Sequence, residues 1–207
     1  MKVGILGAGG VGATLGRALA KAGHEVVYGV RAPGADKHEG LLGHATVKSV
    51  RDAVAATSAV ILATPWSAAE PAVTEAGDFE NKPLLDATNP IGPGFVLTHG
   101  LTSSGAEQVS RWAKNARVVK AFNSTGLENM ANPSYGEARA AMFVCGDDDH
   151  ACAIACDLAS CLGFEAIRVG TLSKARVLEP VAMLWIQLAL EKGNGRNIAF
   201  GVLRRHT

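Results

Sequence analysis

An α/β domain with a mainly parallel, doubly wound sheet is the fold class this sequence predicts, on three observations. Short apolar runs of strand length alternate with amphipathic helix-length segments from the first residue onward. A glycine-rich turn joins the first strand to the first helix. The chain has 207 residues, 48% apolar and only 19% charged, which suffices for a sizeable core without cross-links and excludes an intrinsically disordered chain. Alternating strands and helices need crossover connections, and these are right-handed and leave neighbouring strands parallel. One domain is expected over residues 1–207, with 171–207 as a helical extension near the cleft.

The elements follow in order. Residues 2–6 read as a strand and 11–21 as a helix with Leu15, Ala18 and Leu19 facing inward. Gly23 ends that helix, where a residue without Cβ can turn left-handed. A second strand over 25–30 leads to a polar turn over 31–40, and 46–48 gives a short third strand. Ser49 is placed to cap a brief helix through 56. The nearly pure apolar run 58–64 suits a strand buried on both faces. Pro65 stops it, and Ser67 with Glu70 has capping-box spacing for the next helix. A strand over 83–87 closes on Thr88-Asn89-Pro90, followed by a loop over 91–102 and a helix over 106–114. Strands at 117–122 and 141–145 flank an irregular stretch, and then come a helix at 148–162, a strand at 165–169 and a long last helix at 173–192. In that helix Leu178, Ala182, Trp185 and Ala189 make one apolar stripe, and further apolar residues broaden it, so it must be buried on several sides.

Charge and composition exclude several functions. Lys plus Arg number 20 against 19 Asp plus Glu, a net +1 with no basic cluster, so no nucleic-acid partner is expected. The longest apolar stretch near the C-terminus, 181–190, is about half a membrane span, and no secretory segment opens the chain. No membrane partner and a cytoplasmic location are therefore expected. Cys145, Cys152, Cys156 and Cys161 form no C-x-x-C pair and suit a reducing environment, and Cys152 and Cys156 share a helix face where buried free thiols act as small hydrophobes. Asp147-Asp148-Asp149 stands where a helix begins, which favours dipole stabilisation over a metal site; none is expected. Of the histidines, His24, His38, His44 and His150 fall in turns and helix starts expected to be solvated, and His99 lies in a loop that could reach the cleft.

Gly7-Ala8-Gly9-Gly10-Val11-Gly12 fits G-x-G-x-x-G and has the context that gives the pattern meaning, a strand before it and a helix after it. Gly7 permits the tight turn, Gly9 lets backbone approach a pyrophosphate, and Gly12 lets helix and strand pack closely. The helix start offers free N–H groups and a positive dipole end to phosphates. A Rossmann-type dinucleotide site results. The second strand ends Val27-Tyr28-Gly29-Val30-Arg31 with no acid until Asp36. A carboxylate there would hold ribose hydroxyls, whereas a guanidinium binds a 2′-phosphate through charge-assisted bonds. Arg31 therefore points to NADP(H), with Lys37 a weaker second candidate.

With these residues in view the chain resembles the deazaflavin-dependent NADP oxidoreductases and the related NADPH-binding domain of the STEAP metalloreductases. The resemblance rests on the glycine loop, Gly29-Val30-Arg31, Ala63-Thr64-Pro65-Trp66, Val118-Val119-Lys120-Ala121-Phe122-Asn123 and Cys145-Gly146-Asp147-Asp148-Asp149. Gly170-Thr171-Leu172-Ser173 and Leu178-Glu179-Pro180 extend it to about residue 195. It implies a dinucleotide along the carboxyl edge of the sheet and a flavin or deazaflavin ring over the nicotinamide. Ala63, Thr64, Pro65 and Trp66 would line the dinucleotide groove with Asn89 and Pro90, and Phe122, Asn123, Ser124 and Thr125 would neighbour nicotinamide and acceptor. Val30 stands where some relatives have a serine, and Thr125 where an aliphatic residue often separates the two rings. A homodimer is also implied.

Hydride transfer between a nicotinamide and a flavin-like ring needs little acid–base help, since the rings carry the chemistry and the protein orients them. That agrees with the lack of an evident acid–base dyad. The expected activity is an NADP(H)-dependent oxidoreductase passing hydride to a small-molecule flavin-like or 8-hydroxy-5-deazaflavin acceptor. The alternatives are a catalytically idle NADPH-binding sensor or partner subunit, or a small imine or carbonyl reductase. The last predicts a long helical second domain, for which too few residues remain.

Overall fold

Period-2 and period-3.6 patterning resolve into twelve strands and seven helices in the computed structural model, which describes residues 1–205. The first half runs β1 (Lys2–Leu6), α1 (Gly10–Lys21), β2 (Glu25–Gly29), β3 (Thr46–Lys48), α2 (Val50–Ala55), β4 (Ala59–Leu62), α3 (Ala69–Ala76) and β5 (Pro83–Asp86). A small hairpin follows, β6 (Ile91–Gly92) and β7 (Val96–Leu97), then α4 (Gly105–Trp112) and β8 (Arg117–Lys120). After α5 (Leu127–Ala131) a second hairpin, β9 (Ser134–Tyr135) and β10 (Ala138–Arg139), leads to β11 (Ala141–Gly146), α6 (Asp149–Cys161), β12 (Glu165–Gly170) and α7 (Ala175–Ile186).

Eight strands form one sheet in the order β12-β11-β8-β5-β4-β1-β2-β3. All its pairings are parallel except β11 on β8, where Cys145 pairs with Lys120. The fold class is the predicted doubly wound α/β architecture, and the exception has a simple cause. The connection from β8 to β11 holds a short helix and a hairpin instead of a crossover helix, so the chain returns to the same edge and the strand runs back. One apolar layer gathers Val3, Ile5, Leu15, Leu19 and Val26 with Leu158 and Phe164, and the opposite layer gathers Leu6, Val60, Leu62, Val73, Phe79 and Val109. The central strands are covered on both faces, as their continuous apolar runs require.

The expected cap at Ser49 forms, accepting from the Asp52 N–H, and two further side-chain caps appear, Ser104 accepting from the Glu107 N–H and Asp148 from the Ala151 N–H. The Ser67–Glu70 capping box does not form. A single 3₁₀ turn, Trp66–Ala68, precedes α3, and Ala68 takes the cap position. The reason is Pro71. A cap at Ser67 would place the proline where the helix first needs its missing N–H, whereas a cap at Ala68 keeps it inside the first turn, where no donor is required. The last helix ends as α7 at Ile186 and continues as a π turn over Gln187–Glu191, with Pro180 inside it. Its predicted stripe is buried: Leu178, Ala182, Trp185 and Ala189 are each less than 5% exposed. The Trp185 indole N–H also donates to the Ile198 carbonyl at 2.7 Å, drawing the C-terminal segment over the helix. All four cysteines are free thiols. Of the aspartates, Asp148 caps α6, Asp149 pairs with Arg168 and Asp147 accepts from the Leu172 N–H.

Candidate dinucleotide site

The chain winds outward from β1 in both directions, through β2 and β3 on one side and β4 and β5 on the other. Such a reversal of strand order opens a crevice outside the carboxyl ends of the strands. A groove of about 850 Å³ lies there, lined by the turn after β1, the ends of β2 and β4 and the start of α3.

The glycine turn is built by close approach. Gly7 has φ +103°, and a Cβ on Gly12 would stand 2.1 Å from the Gly7 carbonyl oxygen, so the turn and the first turn of α1 fit only because both are glycine. Gly9 differs: a Cβ there would meet nothing within 4 Å, because the backbone faces the open groove. Gly9 also occupies the cap position of α1, with no side-chain acceptor and no acid in the first turn. The first N–H groups of α1 are therefore left available, unlike those of α2, α4 and α6, which have side-chain caps. Free donors and the positive end of a twelve-residue helix facing a groove suit a pyrophosphate.

Gly7, Ala8, Gly9, Arg31, Ala63, Thr64 and Pro65 all line the groove. Gly10, Val11 and Gly12 belong to the first turn of α1 behind it. Arg31 is exposed at its rim. Three groups named from the sequence stand apart from the groove lining. Trp66 turns away and packs on Trp112 and His99, with ring centroids 5.4 and 5.6 Å distant. Asn89 and Pro90 sit beyond β5, where the Asn89 amide donates to the Asn123 carbonyl and Pro90 packs against Gly105. Phe122, at φ +59°, is wholly buried against Phe164 and points into the core. Asn123 and Ser124 are buried at the end of β8, and the Thr125 hydroxyl accepts from Asn129 at 2.7 Å.

Sequence reasoning missed two features. His38, expected to be solvated, is 8% exposed and lines the groove, because the 3₁₀ turn Asp36–Leu41 folds back toward Arg31. The Lys37 side chain lies outside the described residues. The second is a charged cluster wholly inside the protein. The Lys120 ammonium donates to Asp86 Oδ2 at 2.8 Å and to the Thr88 carbonyl at 2.6 Å, and lies 3.0 Å from Glu179 Oε1. Glu179 in turn accepts from the Gly105 and Ala106 N–H groups that open α4. Burial pulls the Lys120 pKa down, but the two carboxylates outweigh it and the net shift is upward, so the ammonium stays charged. In the sequence Lys120 closes the apolar run Val118-Val119 and Glu179 stands beside the apolar stripe of the last helix, both within segments that carry the resemblance. Nothing there pairs them with each other or with Asp86.

Buried polar atoms without partners concentrate nearby. Thr64 Oγ1, Asn123 Oδ1, Ser124 Oγ and Glu128 Oε2 have none, and all belong to the end of β4 or the segment after β8. Asn123 is held firmly, its amide donating to Asn89 Oδ1 at 3.0 Å and to the Leu178 carbonyl at 3.1 Å. Unpaired buried acceptors are costly, about 1–3 kcal/mol each, so their gathering at one sheet edge fits a polar group of a ligand. Glycine cradle, uncapped helix and orphaned acceptors together fit a dinucleotide.

This fold and crevice define a Rossmann-type nucleotide-binding protein. The chain belongs to the family described as NADP oxidoreductase coenzyme F420-dependent, whose model matches residues 2–90. A crystal structure of a candidate F420-dependent NADP reductase from Arthrobacter sp. FB24 is 32% identical, covers 99% of this chain and 100% of its own, and superposes with a TM-score of 0.90. The metalloreductase STEAP3 of Rattus norvegicus is 29% identical over 184 residues, 88% of this chain but only 36% of that relative's length. A reductive aminase from Aspergillus terreus shares the fold alone, at 20% identity and a TM-score of 0.69, over 93% of this chain and 62% of its own. No helix among the described residues is long and apolar enough to cross a membrane.

Proposed function

We propose that the protein binds NADP(H) across the carboxyl edge of its sheet and transfers hydride between it and a flavin-like or 8-hydroxy-5-deazaflavin acceptor. The observation that carries the dinucleotide is the uncapped start of α1 behind Gly9, opening on the groove that Arg31 borders. Backbone donors hold the pyrophosphate, and Arg31 pairs with the 2′-phosphate. Ala63, Thr64 and Pro65 line the middle of the groove, and Asn123 and Ser124 offer acceptors and a hydroxyl to the nicotinamide end. When bound in its reduced form, the coenzyme would supply a hydride, which carries both electrons of its C–H bond. The protein's own task is to orient two ring faces and keep water out. An acceptor of this class requires no protein proton donor, and His38 lines the groove together with Arg31, Thr64 and Ser67.

The acceptor is drawn from the family's description and from the resemblance to deazaflavin-dependent enzymes. NADPH oxidation measured against flavins, 8-hydroxy-5-deazaflavin, cyclic imines and ketones tests it. Turnover with the tricyclic acceptors is expected. Turnover with imines or ketones alone would replace it by the small-molecule reductase reading, and NADPH binding without any turnover would favour the idle sensor or partner subunit.

A homodimer belongs to the same proposal. Val177, Leu184 and Leu190 remain exposed along the last helix although its opposite side is buried. Covering them with a second copy would remove apolar surface from water. Sedimentation at tens of micromolar should show twice the chain mass, and a monomer would refute the dimer.

A further inference from the structure

The Asp86–Lys120–Glu179 cluster has more charge than folding needs. A buried ammonium is neutralised by one carboxylate, yet Lys120 has two, both wholly buried, on β5 and α7. Counted formally, two carboxylates against one ammonium leave one negative charge. The two N–H groups that open α4 and point at Glu179 offset about half of it. Cys145 lies close by, but burial pushes its thiol up to about 12, so it stays neutral and adds nothing.

The cluster also has a defined place. Asp86 and Lys120 are the last residues of β5 and β8, the two strands next in order after β4. The groove runs from Arg31 past the glycine turn to Thr64 and Pro65 at the end of β4. Neighbouring strands are about 4.8 Å apart, so the end of the groove away from Arg31 lies roughly 5–10 Å from the cluster.

We propose that this cluster sets the charge beneath the nicotinamide ring and stabilises the oxidised, positively charged ring over the neutral reduced one, which biases the protein toward giving hydride away. The inference rests on the NADP(H) reading above. Departure of a hydride from the reduced ring takes both electrons of the C–H bond to the acceptor and leaves a positive charge on the ring. A buried negative charge roughly 5–10 Å from that position is attractive only in the oxidised state and costs no reorganisation. Across some 8 Å in a medium of effective dielectric about 20, and halved by α4, the interaction corresponds to roughly a three- to tenfold preference.

Equilibrium titration of NADP⁺, NADPH and 2′-phospho-ADP-ribose, which lacks the ring, tests this without any acceptor. Glu179→Gln and Asp86→Asn each remove one negative charge and leave Lys120 paired with the other carboxylate, so at least one of them should fold. The ratio Kd(NADP⁺)/Kd(NADPH) should rise by the full-charge amount, roughly thirtyfold, in either variant, with the affinity for the ringless probe unchanged. Because the cluster is buried, the rise should persist at high ionic strength. A ratio within twofold of the parent protein's, with both nucleotides bound, would overturn the proposal. So would an equal loss for all three ligands, which would mark the cluster as purely structural. If the parent protein binds none of the three, the dinucleotide reading itself fails.

Discussion

Replacing Lys120 with methionine is expected to destabilise the protein by about 3–5 kcal/mol, the penalty for stripping the partner from a buried charge. Methionine fills a similar volume, so the loss is electrostatic. Asp86 and Glu179 would then face each other at the sheet edge with no cation between them, both less than 2% exposed. The damage should spread, because Lys120 joins β8 to β5 through Asp86 and Thr88, and Glu179 joins α7 to the start of α4. Urea unfolding checks the prediction: the midpoint should fall steeply for Lys120→Met and only modestly for Glu179→Gln, in which one ion pair survives. The sign with pH follows from the direction of the shift. A folded pKa above the ordinary value of about 10.5 means that the contribution of Lys120 is complete at neutral pH and is lost only as pH rises through the folded value in strong alkali. A small and equal effect of the two substitutions would show that the buried charges contribute little to stability.

The second large effect is expected at Arg31. Hydrogen bonds to a charged group contribute about 1.5–3 kcal/mol, or roughly tenfold to hundredfold in affinity. Arg31→Ala should weaken NADPH by that amount and leave NADH almost unaffected, since only NADPH has a phosphate at the 2′ position. The residue is exposed at the rim of the groove, so folding should not suffer and the two nucleotides can be compared directly. Raising salt should narrow the difference in the parent protein, because an exposed ion pair is screened. Equal losses for both nucleotides would remove Arg31 from coenzyme selection. His38, buried beside it in the same groove, would then be the residue to examine.

Features that depend on local chemistry were legible along the chain. Ser49 caps the helix it precedes, the aspartates at 147–149 stand where a helix begins, and Gly7 and Gly12 make the contacts that only glycine allows. The last helix buries the stripe its periodicity marks. Where a local signal failed, a second local constraint had won: Pro71 displaced the cap from Ser67 because it lacks an N–H. The groove residues Ala32 and Ala68 went unnoticed because small side chains with no chemistry give no signal.

The sequence by itself determined the alternation of strands and helices, the glycine turn and the arginine that follows the second strand, because each rests on residues within a few positions of one another. Tertiary structure alone decided which polar groups would be enclosed. Asp86, Lys120 and Glu179 stand on three separate elements, and their charges acquire a shared low-dielectric setting only once β5, β8 and α7 have packed. The reversed direction of β11 and the burial of His38 have the same origin. Both depend on where a connecting segment comes to rest against a finished sheet, and segments far apart in the chain supply that surface.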